Sequence, residues 1–222
     1  MLECIVDQAI TLSRIGISPL WVSLIVLHRN TERVLGIQEK KRYQALVGSV
    51  LYLMHATRPD LAYGVIRLSQ YAARPRLSHW EGLLRILHYL KRTMKAVLTL
   101  ESTSTHPSGH TEQLIGYFDA AHADRPDRRS TCGYLFLWNR SLISWCSKVQ
   151  RTVALSATEA EYMSGTEATK EALWIKSLLT QLCNTPIQCT LRGDNQGTIA
   201  FATNPVYLPS TGQTYRLPAE IH

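Results

Sequence analysis

LIGYFDAAHADRPDRRSTCGYLFLWNRSLISWCSKVQRTVALSATEAEYMSGTEATKEALWIKSLLTQL occupies residues 114–182 and contains three β-type runs followed by one long helical run. The first run, Leu114-Ile115-Gly116-Tyr117-Phe118, is short and apolar and ends on an acid, Asp119. The second and third, 133–138 and 142–146, are separated by the polar trio Asn139-Arg140-Ser141, a spacing that suits a hairpin. Asp124-Arg125-Pro126-Asp127 lies between the first two runs, where it breaks any helix and favours a reversal. Three consecutive strands on short turns make a meander. A helix then begins near Ser156.

The helix shows where its acids point. Glu161, Gly165, Ala168, Ala172, Ile175, Leu179 and Leu182 recur at steps of four and three, which is one helical face. That face is small or apolar except at Glu161, so Glu161 enters the interface with a sheet, and the small residues let the helix lie close. Glu159 sits on another face, with Thr166 and Lys170. Ser156-Ala157-Thr158-Glu159 also matches a capping box, in which the Ser156 hydroxyl and the Glu159 carboxylate satisfy free N–H groups of the first turn. The frame from Thr158 to Glu161 fits the same box, but the stripe favours Glu161 as the inward acid. Beyond the helix, Gln188-Cys189-Thr190-Leu191-Arg192 has β character and leads to Asp194, with Asp194 or Asn195 capping a further helix over 197–203.

A strand–strand–strand–helix–strand order with a right-handed crossover sets the first and fourth strands side by side. Asp119, Glu161 and Asp194 then converge. Taken singly, each has an ordinary reading as a turn residue, a first-turn acid answering the helix dipole, or a cap. Together they repel one another unless cations neutralise them, as in a two-Mg²⁺ phosphodiester-cleaving site.

The chain has 222 residues, 45% of them hydrophobic, which suffices for one large or two small cores. Its net charge of +7 favours an anionic partner, nucleic acid first. Five scattered cysteines with no C-x-x-C pair read as reduced core residues of an intracellular protein, cytoplasmic or nuclear. The apolar run at 19–27 is nine residues, too short to span a bilayer, so no membrane partner is expected. Residues 42–98 read as helices. Tyr43, Leu46, Val47, Val50, Leu53 and Met54 share one face, and a second helix opens at Pro59-Asp60. The third starts at Ser78 with a capping box to Glu81 and buries Trp80, Leu83, Leu84, Leu87 and Leu90. Arg85, His88, Arg92 and Lys95 form a basic stripe there, suited to a phosphate backbone and equally to solvent. Residues 99–113 are rich in Ser, Thr, Pro, Gly and His and read as a linker, in which His106 and His110 are not a metal site. No phosphate-binding Gly loop, Ser-His-Asp triad or internal repeat is present, and no small-molecule substrate is indicated.

Asp119 within GYFDA, DRRSTCGY (127–134), ISWCSKVQRTVALSATEAEY (143–162), EALWIKSLL (171–179) and GDNQGTIAFATNPVY (193–207) closely resemble the ribonuclease H domain of Copia-type LTR retrotransposon polyproteins. LVGSVLYLMHATRPDLAYGVIRLSQY and HWEGLLRILHYLKRT resemble the tail of the reverse transcriptase that precedes it. The resemblance implies an α/β fold, an RNase H-like sheet with a packed helix, preceded by a small helical connection region. It implies Mg²⁺-dependent cleavage of RNA in an RNA–DNA hybrid, with Asp119, Glu161 and Asp194 as metal ligands and catalytic acids. It divides the chain into an unassigned segment 1–41, a helical region 42–98, the linker 99–113, an RNase H-like domain 114–207 and a divergent tail 208–222.

Where the family usually reads close to GYSDADWAGD, Ala121 and His122 replace its second Asp and its Trp. After Tyr207 the family's last strand, last helix and fourth metal-binding Asp have no counterpart, so impaired catalysis is expected, with one cation rather than two. A non-catalytic nucleic-acid-binding remnant is the alternative. No Asp-Asp pair occurs, so no DNA synthesis is expected.

Overall fold

The computed structural model describes residues 33–100, 113–195 and Thr198. The expectations for 1–32, the linker core 101–112, the rest of the helix at 197–203 and the tail lie outside the described residues. The chain divides into two compact units, one ending at Thr99 and the other resuming at Leu100.

The first unit is helical. Helix α1 (Ile37–Ala56) begins where Glu39 accepts the Gly36 N–H at 2.8 Å. A 3₁₀ turn (Pro59–Leu61) with Pro at its first position leads into α2 (Ala62–Ser69), and α3 spans Leu77–Arg92. The core joins Tyr43, Val47, Val50 and Met54 of α1 to Leu61, Val65 and Leu68, and to Leu83, Ile86 and Tyr89 of α3. The Tyr43 hydroxyl, buried with its ring, donates to Leu68 O at 2.8 Å.

Two expectations are corrected here. The N-cap of α3 is Arg76, whose N–H donates to His79 Nδ1 at 3.0 Å, rather than Ser78. The inward face of α3 is also rotated: Leu84 is exposed, while Ile86 and Tyr89 are fully buried, and on α1 Leu53 is likewise exposed. A polar contact fixes that rotation. Asp60 is buried, accepts from Tyr89 OH at 2.9 Å and pairs with Arg58 at 2.6 Å, and Arg58 also donates to Thr93 Oγ1 at 2.7 Å. Tyr89 is thereby drawn inward.

The second unit holds a four-stranded mixed sheet under one long helix. Strands β1 (Gln113–Ala121), β2 (Thr131–Trp138) and β3 (Ser141–Val149) form the antiparallel meander, and β4 (Gln188–Arg192) runs parallel to β1. The order is β3-β2-β1-β4, so the first and fourth strands are neighbours. Trp138 pairs with Ser141, leaving Asn139 (φ 46°) and Arg140 (φ 72°) as a two-residue turn whose left-handed backbone matches the twist of the strands.

Helix α4 (Ala157–Cys183) packs Ala168, Ala172 and Ile175 on Leu114, Phe118, Phe136 and Leu191. Gly165 permits the close approach, since a Cβ there would lie 3.1 Å from the Phe118 ring. The expected stripe fails at its end, because Leu182 is 72% exposed. Twenty-seven helical residues extend about 40 Å, whereas a nine-residue strand extends about 30 Å, so the last turn overhangs the sheet. Cys132, Cys146, Cys183 and Cys189 are free thiols. Burial pushes Cys132 and Cys189 up to about 11, which keeps them protonated and unreactive.

Candidate metal centre

The C-terminal ends of β1 and β4 and the first turns of α4 meet at one end of the sheet. Asp119 lies near the C-terminal end of β1, opposite Gly133 and two residues past the last pair with β4, and Asp194 follows β4 by two residues. Glu161 is in the second turn of α4 and buried. One carboxylate oxygen from each of the three lies within 4.8 Å of the others. Burial rises from Asp194, exposed, through Asp119 to Glu161.

Glu161 is held by a backbone donor. Ala120 N–H donates to Glu161 Oε1 at 3.3 Å, and the second oxygen, Oε2, is buried without a hydrogen-bond partner. Burial pushes the Glu161 carboxyl up to about 8, the Asp119 carboxylate beside it adds to the rise, the Ala120 N–H opposes it, and Asp194 adds a smaller push upward. Glu159, by contrast, turns back to the helix start. The Ser156 hydroxyl accepts from Glu159 N at 3.1 Å, and the Glu159 carboxylate accepts from Leu155 N at 2.7 Å. The capping box closes on an N–H donor one residue upstream of the usual one, Leu155 in place of Ser156, and Glu159 stays out of the cluster.

Asn195, not Asp194, serves as the next cap: its Oδ1 accepts from Thr198 N at 3.1 Å, and Thr198 Oγ1 donates to Thr158 O at 3.3 Å. Asp194 is left to the cluster. Ser164 is a residue that pattern reading missed. It is fully buried, and its hydroxyl faces Asp119 O at 2.7 Å and Gly133 O at 3.2 Å, tying the helix to the strand that carries the first acid. Its signal was a polar residue one turn after Glu161 on the inward side. At the positions where the chain departs from GYSDADWAGD, His122 Nε2 lies 3.2 Å from Ala154 O, and Asp124 accepts from Thr131 Oγ1 at 2.9 Å.

The structure thus brings Asp119, Glu161 and Asp194 together in a cluster that can bind a metal ion. A carboxylate oxygen that is buried and unpartnered suits a hard cation, which takes oxygen ligands. The basic stripe is elsewhere in the chain. Arg85, His88 and Arg92 are exposed on α3, and Lys95 is exposed just past its end. Among the described residues no helix is long and apolar enough to cross a membrane.

A mixed sheet with a packed helix and an acidic cluster at the strand ends defines an α/β domain with a candidate metal centre, and comparison with known proteins gives its relatives. No family model matches the chain. It is 39% identical over 173 residues to the retrovirus-related Pol polyprotein from transposon TNT 1-94 of Nicotiana tabacum, covering 78% of this chain and 12% of that one. The Pol polyprotein from transposon RE2 of Arabidopsis thaliana is 39% identical over 188 residues, 82% of this chain and 12% of the polyprotein. Secreted RxLR effector protein 161 of Plasmopara viticola is 49% identical over 134 residues, 60% of this chain and 90% of the effector. The chain is homologous to Copia-type retrotransposon Pol polyproteins over about four fifths of its length. It spans 12% of the length of the two polyproteins.

Proposed function

We propose that Asp119, Glu161 and Asp194 are the ligands and catalytic acids of a ribonuclease H-type site that hydrolyses the RNA strand of an RNA–DNA hybrid with Mg²⁺. The observation that carries this reading is the buried, unpartnered Glu161 Oε2 facing two further carboxylates. Mg²⁺ bound there supplies activation of water and stabilisation of the leaving sugar oxygen. The chain's own part is positioning. Ala120 N–H orients Glu161, Ser164 fixes the Asp119 backbone, and Asn195 holds the turn that presents Asp194. Within this reading, residues 114–207 are the ribonuclease H-like domain, 42–98 the reverse-transcriptase tail, and the site of action is intracellular.

Among the described residues three carboxylates form the cluster, enough to hold one cation firmly and a second weakly. Turnover by the isolated chain is therefore expected to be slow, and greater with Mn²⁺ than with Mg²⁺. The test is cleavage of a labelled hybrid with and without divalent cation, together with the Asp119→Asn and Glu161→Gln variants. Cleavage that needs the cation and vanishes in both variants supports the reading. Cleavage unchanged in Asp119→Asn, or no cation binding by calorimetry, overturns it. A second reading, nucleic-acid binding without cleavage, is favoured by the exposure of Arg85, His88, Arg92 and Lys95 together. Binding through them is expected to be insensitive to sequence and steeply salt-dependent. An Arg85→Ala, Arg92→Ala, Lys95→Ala triple variant with unchanged salt slope would show that the stripe is merely solvated.

A further inference from the structure

Beside the acids, on the adjacent strands β1 and β4, sits an arginine–tyrosine pair that the cluster does not use. Tyr117 and Arg192 are register partners across the parallel β1–β4 ladder. Arg192 Nη1 donates to Tyr117 OH at 3.1 Å, and the guanidinium carbon lies 5.7 Å from the Tyr117 ring centroid. Each is two residues before an acid, Tyr117 before Asp119 and Arg192 before Asp194. Along β1, Tyr117 and Asp119 share a face and are separated by about 6.6 Å, while Arg192 is the last residue of β4 and Asp194 lies just beyond it. The pair therefore stands one pleat away from the metal centre.

Arg192 is exposed, yet it forms no ion pair with Asp119 or Asp194. Its guanidinium is held by the phenol instead. Among the described residues one of its five N–H donors is used, and the phenolic proton remains available. A pre-oriented cation and a hydroxyl donor next to an acidic cluster make a receptor for an anion that must stand beside, and not on, the cation site. We infer that Tyr117 and Arg192 clamp a backbone phosphate of the nucleic acid next to the one at the metal centre. This rests on the nucleic-acid reading given above, and it assigns backbone recognition to the β1–β4 edge as well as to the α3 stripe. Fork-like guanidinium geometry suits a phosphate, and fixing the side chain beforehand lowers the entropy cost of contact.

The experiment measures binding of the full chain to a short labelled RNA–DNA hybrid in Ca²⁺ over a range of salt, alongside cleavage in Mn²⁺. In Arg192→Ala the log–log salt slope is expected to flatten by about 0.9, the share of one phosphate contact. Arg192→Lys keeps the charge and restores the slope. Tyr117→Phe keeps the slope but weakens binding roughly two- to tenfold, because the guanidinium is no longer pre-oriented. Melting curves of each variant separate folding from contact. An unchanged slope in a folded Arg192→Ala protein overturns the clamp while leaving the ribonuclease reading, judged by Asp119→Asn, in place. A flattened slope without any cleavage keeps the clamp and removes the ribonuclease reading. No binding of the hybrid by the unaltered chain overturns both. A rise in Mn²⁺ affinity in Arg192→Ala with hybrid binding unaffected would show instead that the arginine only screens the acids.

Discussion

Glu161 holds a proton that a cation must displace. Burial and the neighbouring Asp119 carboxylate push its carboxyl up to about 8, so cation binding is expected to release that proton and affinity to fall as pH drops below that point. Calorimetry with Mn²⁺ between about pH 6 and pH 9 reads this directly, and a pH-independent affinity would contradict it. The same shift acts on the metal-free fold. The folded state keeps a proton that the unfolded chain loses near 4.5, so this contribution to stability is complete below 4.5 and lost as pH rises through about 8. Asp119→Asn removes one of the charges that raise Glu161 and should shrink that pH dependence in urea titrations with chelator present. A second residue-scale expectation concerns Gly193, where a Cβ would meet the Phe118 ring at 2.6 Å. Gly193→Ala should cost about 1–3 kcal/mol and also loosen Asp194. Trimming the ring in a Phe118→Leu, Gly193→Ala double variant should recover part of that loss, and simple additivity of the two costs would rule out the clash.

At the scale of elements, most of the second unit was legible in the sequence. Short apolar or β-rich runs broken by turn residues marked β1, β2 and β3, and the steps of four and three marked the buried side of α4. The hairpin turn was legible from the polar trio Asn139-Arg140-Ser141, of which the first two residues form the turn and Ser141 already belongs to β3. The three acids were legible because each ends or begins an element, and right-handed crossover leaves few ways to arrange those ends. Leu182 was misread because a helical stripe says nothing of how long the opposing strand is. Ser156 was read as the start of α4, and its hydroxyl does accept the Glu159 N–H. Ser156→Ala should therefore cost about 1 kcal/mol in urea unfolding. Because Glu161 rides in the second turn of the same helix, that variant should also weaken cation binding, whereas a substitution at exposed Leu182 should leave both untouched. The start of α3 was misread because Ser78 and Glu81 fit a box that Arg76 and His79 occupy instead, and a histidine nitrogen as acceptor is not part of that pattern.

At the scale of the whole molecule, what the sequence hid is tertiary. Asp60 looked like an ordinary first-turn acid, yet its side chain is fully buried between Arg58 and Tyr89. No periodicity reveals a pair joined by packing from 29 residues away. Removing one member strands the other charge, so Asp60→Ala should cost about 3–5 kcal/mol, with lost hydrogen-exchange protection in α3 as its signature. An effect below about 1 kcal/mol would mean water already reaches the pair. The strand order carries a different consequence, for the sequence of events in folding. β1, β2 and β3 pair through neighbouring turns, whereas Tyr117 and Arg192 meet across 75 residues of chain. Local hairpins form in microseconds, while a long-range parallel pairing waits on loop closure. Docking of β4 is thus the natural last step, and Asp194 reaches the other acids only then. A cation held by all three would act as a latch on that step, slowing unfolding while leaving the folding rate nearly unchanged.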